Sequence, residues 1–223
     1  MGEPHPRGGN AIARLLRERG HARVDGLTEE SRLATVLTCP QDDLPLHLKR
    51  QALEVLAAAF PGGRSVEERL NRRLHDPRTN PVCMLLVEGE QVLAYLAILS
   101  TTIEHAGRTY RVSGLSAVST HPHHLRQGHA ARLVTSAREW IEASDADLGV
   151  FTCDPPLISL YQACGWAHMP ATVVVGGTRA QPFRADTLGK ATLMGFFSPA
   201  AQAHRSDFDE ADVYLDLREG DLW

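Results

Sequence analysis

The chain carries no excess of basic charge. Its 23 Lys and Arg stand against 27 Asp and Glu in 223 residues, a formal charge of −4. That balance excludes a nucleic-acid binder that works by bulk positive charge. Long apolar runs are absent too. The longest clean ones, Val82–Val87 and Val92–Leu99, fall far short of the ~20 residues a bilayer span needs, so no membrane partner is expected. The opening MGEPHPRGGN holds no apolar signal-peptide core, and Pro6 stands where a myristoylation signal wants Ser or Thr. The four cysteines (Cys39, Cys83, Cys153, Cys164) include no CxxC pair. Reduced thiols in a cytoplasmic protein, with no metal, are the simplest expectation. Aromatic residues are sparse at 6%, but hydrophobic residues make up 43%. A chain of this length buries roughly 70% of its unfolded surface and needs no disulfide or metal staple.

Residues 1–30 are rich in Gly, Pro, Arg and Glu and read as a partly flexible N-terminal extension, with a short helix over Ala11–Glu18. The domain proper is expected over residues 31–223. Arg32–Thr38 suggests a first strand. Leu46–Phe60 carries one apolar stripe at helical spacing and stops at Pro61-Gly62-Gly63. Ser65-Val-Glu-Glu68 is a capping box opening a second helix through Leu74. Strands are expected at Val82–Glu88, Gln91–Thr102 and Tyr110–Thr120, the first two joined by a hairpin at Gly89-Glu90. The period then changes. Leu133, Val134, Ala137, Trp140 and Ile141 form the stripe of a helix over His129–Ala143, with Trp140 expected in the core. Leu148–Cys153 is a compact strand, and Leu157–Cys164 a short helix closed by Gly165. Trp166–Val175, Thr192–Phe197 and Tyr214–Leu217 return to strand character. This order predicts an α/β fold: one mixed, mostly antiparallel sheet with helices on both faces.

The segment Val118-Ser-Thr-His-Pro-His-His-Leu-Arg-Gln-Gly-His-Ala-Ala131 ends a strand, turns through a polar loop and starts a helix near Gly128. The first turn of a helix presents unpaired N–H groups at the positive end of the dipole, where phosphates bind readily. Gly128, Ala130 and Ala131 let a diphosphate approach the backbone closely, and Arg126 adds a charge-assisted partner. This stretch resembles the acetyl-CoA signature of the GNAT N-acetyltransferases, V-x-P-x-x-[QR]-x-x-G-x-[GA]. Thr120 stands in place of the aliphatic residue and Leu125 in place of the first Gln or Arg. A second segment, Asp154-Pro-Pro-Leu157-Ile-Ser-Leu160-Tyr161-Gln-Ala-Cys-Gly165-Trp166, resembles that family's N-x-x-A-x-x-L-Y-x-x-x-G-[FW], with Asp154 where Asn is usual.

The resemblance implies the GNAT fold, in which the Tyr110–Thr120 and Leu148–Cys153 strands splay around acetyl-CoA. It implies that Val118, Ser119 and Thr120 pair with the pantetheine arm. Arg126, Gln127, Gly128, His129, Ala130 and Ala131 would hold the pyrophosphate, and Asp154 would lie at the cosubstrate. Tyr161 would protonate the departing sulfur. A phenol, with a pKa of ~10, is protonated at neutral pH and suits that task.

The end of the chain, Asp216-Leu-Arg-Glu-Gly-Asp-Leu-Trp223, is similar to the D-W-R-x-G-D-[VL]-W terminus of the aminoglycoside 2′-N-acetyltransferases. That similarity implies a carboxylate of Trp223 in the active site as candidate base, with Asp221 as the alternative. Thr152, Asp186, Asp221 and Trp223 would be substrate contacts. From Ser206 onward there are seven acidic residues and one basic residue, Arg218, which suits a cationic small-molecule amine. A kasugamycin-like acceptor, another amine, a peptide acceptor and a non-catalytic acyl-CoA-binding module all stay open. A homodimer is an option within the family, with no interface readable in the sequence.

Three other readings are set aside. His121, His123 and His124 sit in a tight loop with no spaced Cys or carboxylate set, so they are read as part of the phosphate loop. Gly114-Leu-Ser-Ala-Val118 fails the GxSxG pattern of a hydrolase at its last position. Gly176-Gly177 suggests a bulge or turn.

Overall fold

Strand β1 (Thr35–Pro40) opens a sheet that continues through β2 (Val82–Glu88), β3 (Gln91–His105) and β4 (Arg108–Thr120), each antiparallel to the last. The structure, a computed structural model, describes residues 33–62 and 64–223. The N-terminal extension with its Ala11–Glu18 helix, Arg32 and Gly63 lie outside the described residues. Ala34–Trp223 forms one unit. Strand β5 (Leu148–Cys153) runs parallel to β4. The antiparallel strands β9 (Ala191–Phe196) and β6 (Ala167–Met169) complete a seven-stranded sheet of order β1-β2-β3-β4-β5-β9-β6.

Every residue from Val92 to Ile98 on β3 is buried, so both faces of the sheet centre are covered. The cover comes from helices α1 (Leu46–Ala59) and α3 (His129–Glu142). Their stripes bury Leu48, Ala52, Leu53, Val55 and Leu56 on α1 and Leu133, Val134, Ala137 and Ile141 on α3. Helix α2 (Val66–Leu70) carries the expected capping box: Ser65 accepts from the Glu68 N–H while Glu68 accepts from the Ser65 N–H. It is shorter than expected, ending before Leu74. Among the described residues no helix is long and apolar enough to cross a membrane.

The structure corrects four expectations. The strand expected at Trp166–Val175 is two strands, β6 and β7 (Val173–Thr178), in different sheets. Pro170 offers no N–H for a ladder, and a Thr172 N–H to Met169 carbonyl turn separates the two. The single sheet is therefore joined by a second, three-stranded one of order β10-β7-β8, with β8 at Gln181–Arg184 and β10 at Asp212–Tyr214. Pro182 hid β8 from the pattern, because a proline marks an edge strand. The last strand starts two residues earlier than expected and runs parallel to β7. Trp140 is 37% exposed, not core. It sits at the margin of the α3 stripe and lines a polar cleft with Arg111, Ser113 and Ser144.

Candidate active site

Strands β4 and β5 pair only at Val112–Leu148 and Ser113–Gly149. Beyond those pairs they diverge, and Trp223 fills the apex. The Thr152 N–H donates to the Trp223 main-chain oxygen at 2.9 Å, and the Thr152 hydroxyl donates to the same oxygen. Gly114 is what lets the indole in. A Cβ there would lie 2.3 Å from the Val150 carbonyl and 2.5 Å from the Trp223 ring. The chain's last segment is laid along β7. Leu215 and Leu217 N–H groups donate to the Val175 and Gly177 carbonyls, and the Gly177 N–H donates to the Asp221 carbonyl at 3.0 Å. At Gly176 a Cβ would come within 2.5 Å of that same Asp221 oxygen. The glycine pair expected as a bulge or turn thus admits the final segment, with Gly177 at φ +74°.

Facing the splay, β4 carries a bulge. Its register against β3 slips between Ser116–Ala97 and Ser119–Tyr95, with Ala117 at φ +56°. Val118 and Thr120 are half-buried, and Ser119 is buried with its hydroxyl donating to the Ala117 carbonyl. A strand edge freed from its β5 partner offers main-chain groups to an amide-bearing chain.

At the C-terminal end of β4 the chain passes through a short turn, Pro122–His124, to the start of α3. Arg126 and Gly128 both adopt left-handed backbone, at φ +61° and +81°. The first helical bond runs from the Arg132 N–H to the Gly128 carbonyl, so the N–H groups of His129, Ala130 and Ala131 have no intrahelical acceptor. Gly128 has open space where a Cβ would be. Arg126, Gln127 and Gly128 are exposed. The structure therefore gathers the six expected phosphate-binding residues on one accessible turn.

Tyr161 lies on α4 (Ile158–Ala163), 4% exposed, its ring edge-on to Phe151 of β5 at 5.0 Å. Burial, with charge from Cys153, Cys164 and Asp154, pushes its hydroxyl above the ordinary tyrosine range. It stays a proton donor at any physiological pH. Cys153 is pushed up to about 11, chiefly by burial, which leaves it a thiol rather than a nucleophile. Asp154 is exposed and paired with Lys190 at 2.6 Å.

Beneath Trp223 lies a cavity of about 140 Å³ lined by His75, Asp76, Ser116, Arg218, Asp221 and Trp223 with apolar neighbours. His75 Nε2 is 2.9 Å from the hydroxyl of Tyr95, which lies 3.4 Å from Cys83 Sγ. Burial, helped by the charge of Arg69, lowers His75 to about 4, so its ring is neutral at pH 7. Burial alone would raise Asp76. The Arg78 hydrogen bonds and the charges of Arg218 and Arg78 outweigh it and hold the carboxyl below its usual range. Arg218 Nε stands 3.1 Å from Asp76 and 3.2 Å from Asp221.

Thr152 and Trp223 thus meet at the splay, and Asp221 lines the cavity with Trp223. Asp186 does not join them. It pairs with Arg184 at 3.1 Å and lines a separate cleft with His168 and Lys190. The sequence reading missed His75, Asp76, Ser116 and Arg218 as lining groups. His75 and Asp76 lie in the loop after α2, where no periodicity marks them. Among the described residues no group of three or more His, Cys, Asp or Glu side chains is placed to hold a metal ion.

The residues present fit acetyl-CoA: a strand edge freed at a bulge, an open left-handed glycine at a helix start, and a buried phenol beside β5. The Acetyltransferase (GNAT) domain family matches residues 47–169. Among curated protein sequences none matches this chain. The solved structures of similar fold include an Acinetobacter baylyi protein described as an acetyltransferase (TM-score 0.52, 18% identity, 74% of this chain and 93% of that one). Escherichia coli ElaA is similar over 73% of this chain and 99% of its own (TM-score 0.50, 14% identity). Arabidopsis thaliana NAA60, solved with a bisubstrate analogue, is similar over 74% and 100% (TM-score 0.50, 12% identity). With the family match spanning more than half of its residues, the chain belongs to the GNAT family and is an acetyl-CoA-dependent N-acetyltransferase.

Proposed function

We propose that this acetyltransferase modifies a primary amine of a cationic small molecule, with the 2′-amino group of an aminoglycoside as the favoured acceptor. The observation that carries this reading is the cavity under Trp223. Asp76, Asp221 and Arg218 line it beside a neutral His75, so acidic side chains outnumber charged basic ones in the lining. A carboxylate-lined recess attracts an ammonium and orients its donors. The likeness of the Asp216–Trp223 segment to the aminoglycoside 2′-N-acetyltransferases narrows the acceptor.

Bound acetyl-CoA supplies the thioester acyl group and a thiolate leaving group. The freed edge of β4 at Val118–Thr120 holds the pantetheine amides. The turn Arg126–Ala131 holds the pyrophosphate through its N–H groups. An amine of pKa near 10 arrives mostly protonated at neutral pH, so a carboxylate must help remove a proton. Asp221 and the Trp223 carboxylate are the candidates for that base. Thr152 fixes Trp223 by two donors to its main-chain oxygen. Tyr161, with its proton retained by burial, protonates the departing sulfur. Cys153 and Cys164 form no acyl intermediate, since neither has an activating base.

The test is CoA release from acetyl-CoA against 2′-amino aminoglycosides, kasugamycin, polyamines and short peptides, with mass spectrometry for a gain of one acetyl group. Turnover confined to the antibiotics supports the proposal. Turnover confined to peptides or polyamines leaves the enzyme class intact and overturns the acceptor.

A further inference from the structure

The face of the sheet turned away from Trp223 carries a cleft of about 450 Å³. Successive residues of a strand face opposite sides. Leu99 lines the cavity with Trp223, so its neighbour Ser100 lies on the other face, where it lines the cleft. Ser100 pairs with Ser113 and Thr102 with Arg111, which sets these four side chains together on one face of β3 and β4. The end of α3 adds Trp140 to the lining. Of the three tryptophans, Trp166 and Trp223 are 2% and 5% exposed, whereas Trp140 is 37% exposed.

One buried donor in this lining lacks an acceptor. Ser113 is 4% exposed, and its hydroxyl oxygen lies 2.9 Å from that of Ser100. Two hydroxyls carry two hydrogens. One hydrogen lies between the oxygens, and the other has no acceptor among the described residues. A buried donor left unmade is costly, and the cleft is where its acceptor can come from. The charges, by contrast, are already matched. Arg111 Nη1 stands 2.8 Å from Asp145 and its Nε 3.6 Å from Asp147. Arg78 Nη2 stands 2.8 Å from Asp76. An anion would have to compete with these carboxylates, and a cation with these guanidinium groups. The lining thus offers hydroxyls, guanidinium N–H groups and a carboxylate, each charge with its counter-charge, around one uncovered indole.

We propose that this cleft binds an uncharged sugar ring, stacked on Trp140 and hydrogen-bonded to the Ser100–Ser113 pair. A pyranose has the matching division of surface: a C–H face for the indole and a rim of hydroxyls that both donate and accept. A ring hydroxyl accepts the free Ser113 or Ser100 hydrogen. The Arg111 N–H groups donate to neighbouring ring oxygens, and Asp145 accepts from a ring hydroxyl. A nucleobase would stack as well, but it carries its polar groups on its edges in one plane. Here the polar groups come from two strands and from Asn80 in the loop before β2. The sheet lies between this cleft and the Trp223 cavity, so the site is separate from the acetyl acceptor and does not depend on which amine is acetylated.

The experiment titrates the full chain with methyl glucoside and, in parallel arms, with adenosine and inorganic phosphate, read by tryptophan fluorescence and by calorimetry. Trp140 is the exposed tryptophan, so a ring stacked on it should shield the protein from acrylamide quenching. The expected result is saturable binding of the glucoside in the millimolar range, with that shielding lost in Trp140→Phe. Trp140→Ala should weaken binding about tenfold or more. Ser113→Ala, which removes the buried donor and keeps the packing, should weaken it several-fold. Trp140 lies at the surface, so its variants should fold even if Ser113→Ala does not, and circular dichroism checks both. Acetyl transfer in Trp140→Ala should match the wild type, and acetyl-CoA should not compete with the glucoside. No saturable binding of the glucoside, or binding unchanged in Trp140→Ala, overturns the proposal. Tighter binding of adenosine or phosphate than of the glucoside overturns the ligand class, and competition by acetyl-CoA overturns the location.

Discussion

The main-chain oxygen of Trp223 accepts two hydrogen bonds from Thr152, one from its N–H at 2.9 Å and one from its hydroxyl. This contact joins Trp223 to β5 where β4 and β5 part, and Trp223 in turn lines the cavity proposed for the acceptor. The Trp223 ring sits against Gly114 on the other side of the gap. Two strands that have stopped pairing are therefore bridged by one residue.

Gly114→Ala tests that bridge. The added methyl cannot coexist with both the Val150 carbonyl and the indole. Overpacking of this kind costs about 1–3 kcal/mol, and here the movable partner is the final segment. Denaturant unfolding should show that loss, and acceptor KM should rise more than the acetyl-CoA dissociation constant. Unchanged stability together with unchanged KM contradicts the packing.

Tyr161→Phe removes the hydroxyl and keeps the ring on Phe151. General acid catalysis is worth at least about 100-fold, so kcat should fall on that scale while acetyl-CoA affinity changes less than about twofold. If the variant turns over at the wild-type rate, another group protonates the sulfur.

His75 predicts an acid limb in stability. Its folded value, about 4, lies below the unfolded value near 6.5. The unfolded chain therefore takes up the proton first, and stability is lost as pH falls from about 6.5 toward 4, by up to about 3 kcal/mol. Urea unfolding at pH 7 and pH 5 should show the drop in the wild type and a shallower one in His75→Gln, which keeps a hydrogen-bonding partner for Tyr95. Parallel slopes in the two proteins contradict the buried neutral ring.

Asp76→Asn leaves Arg78 and Arg218 without their shared carboxylate. Stability should fall by about 1–3 kcal/mol, as expected when a buried charged hydrogen-bond partner is lost. The acceptor KM for a cationic amine should rise about tenfold or more, with the acetyl-CoA dissociation constant unchanged. An unchanged KM removes Asp76 from the acceptor recess.

The turn between β4 and α3 was legible in the sequence because its signals are local: a strand end, Gly128 and a helix start lie within one short segment. The short helix that carries Tyr161 was legible for the same reason, as part of one short motif. The cavity was not. His75 comes from the loop after α2, Ser116 from a strand bulge and Arg218 from the tail, and only the tertiary fold brings them together. The second sheet was hidden by Pro170 and Pro182, which break the alternation that marks a strand. Trp140 misled because helical spacing alone does not separate the edge of a stripe from its centre. Asp186 was near the substrate by resemblance, but the hairpin of β7 and β8 leads it to Arg184 and another cleft.

The most direct measurement compares two aminoglycosides that differ only at the 2′ position, one with an amine and one with a hydroxyl, each incubated with acetyl-CoA and the enzyme and read by mass spectrometry. The account predicts a gain of one acetyl group on the 2′-amine and none on the 2′-hydroxyl compound. Equal acetylation of both, or of neither while a peptide amine is acetylated, contradicts it.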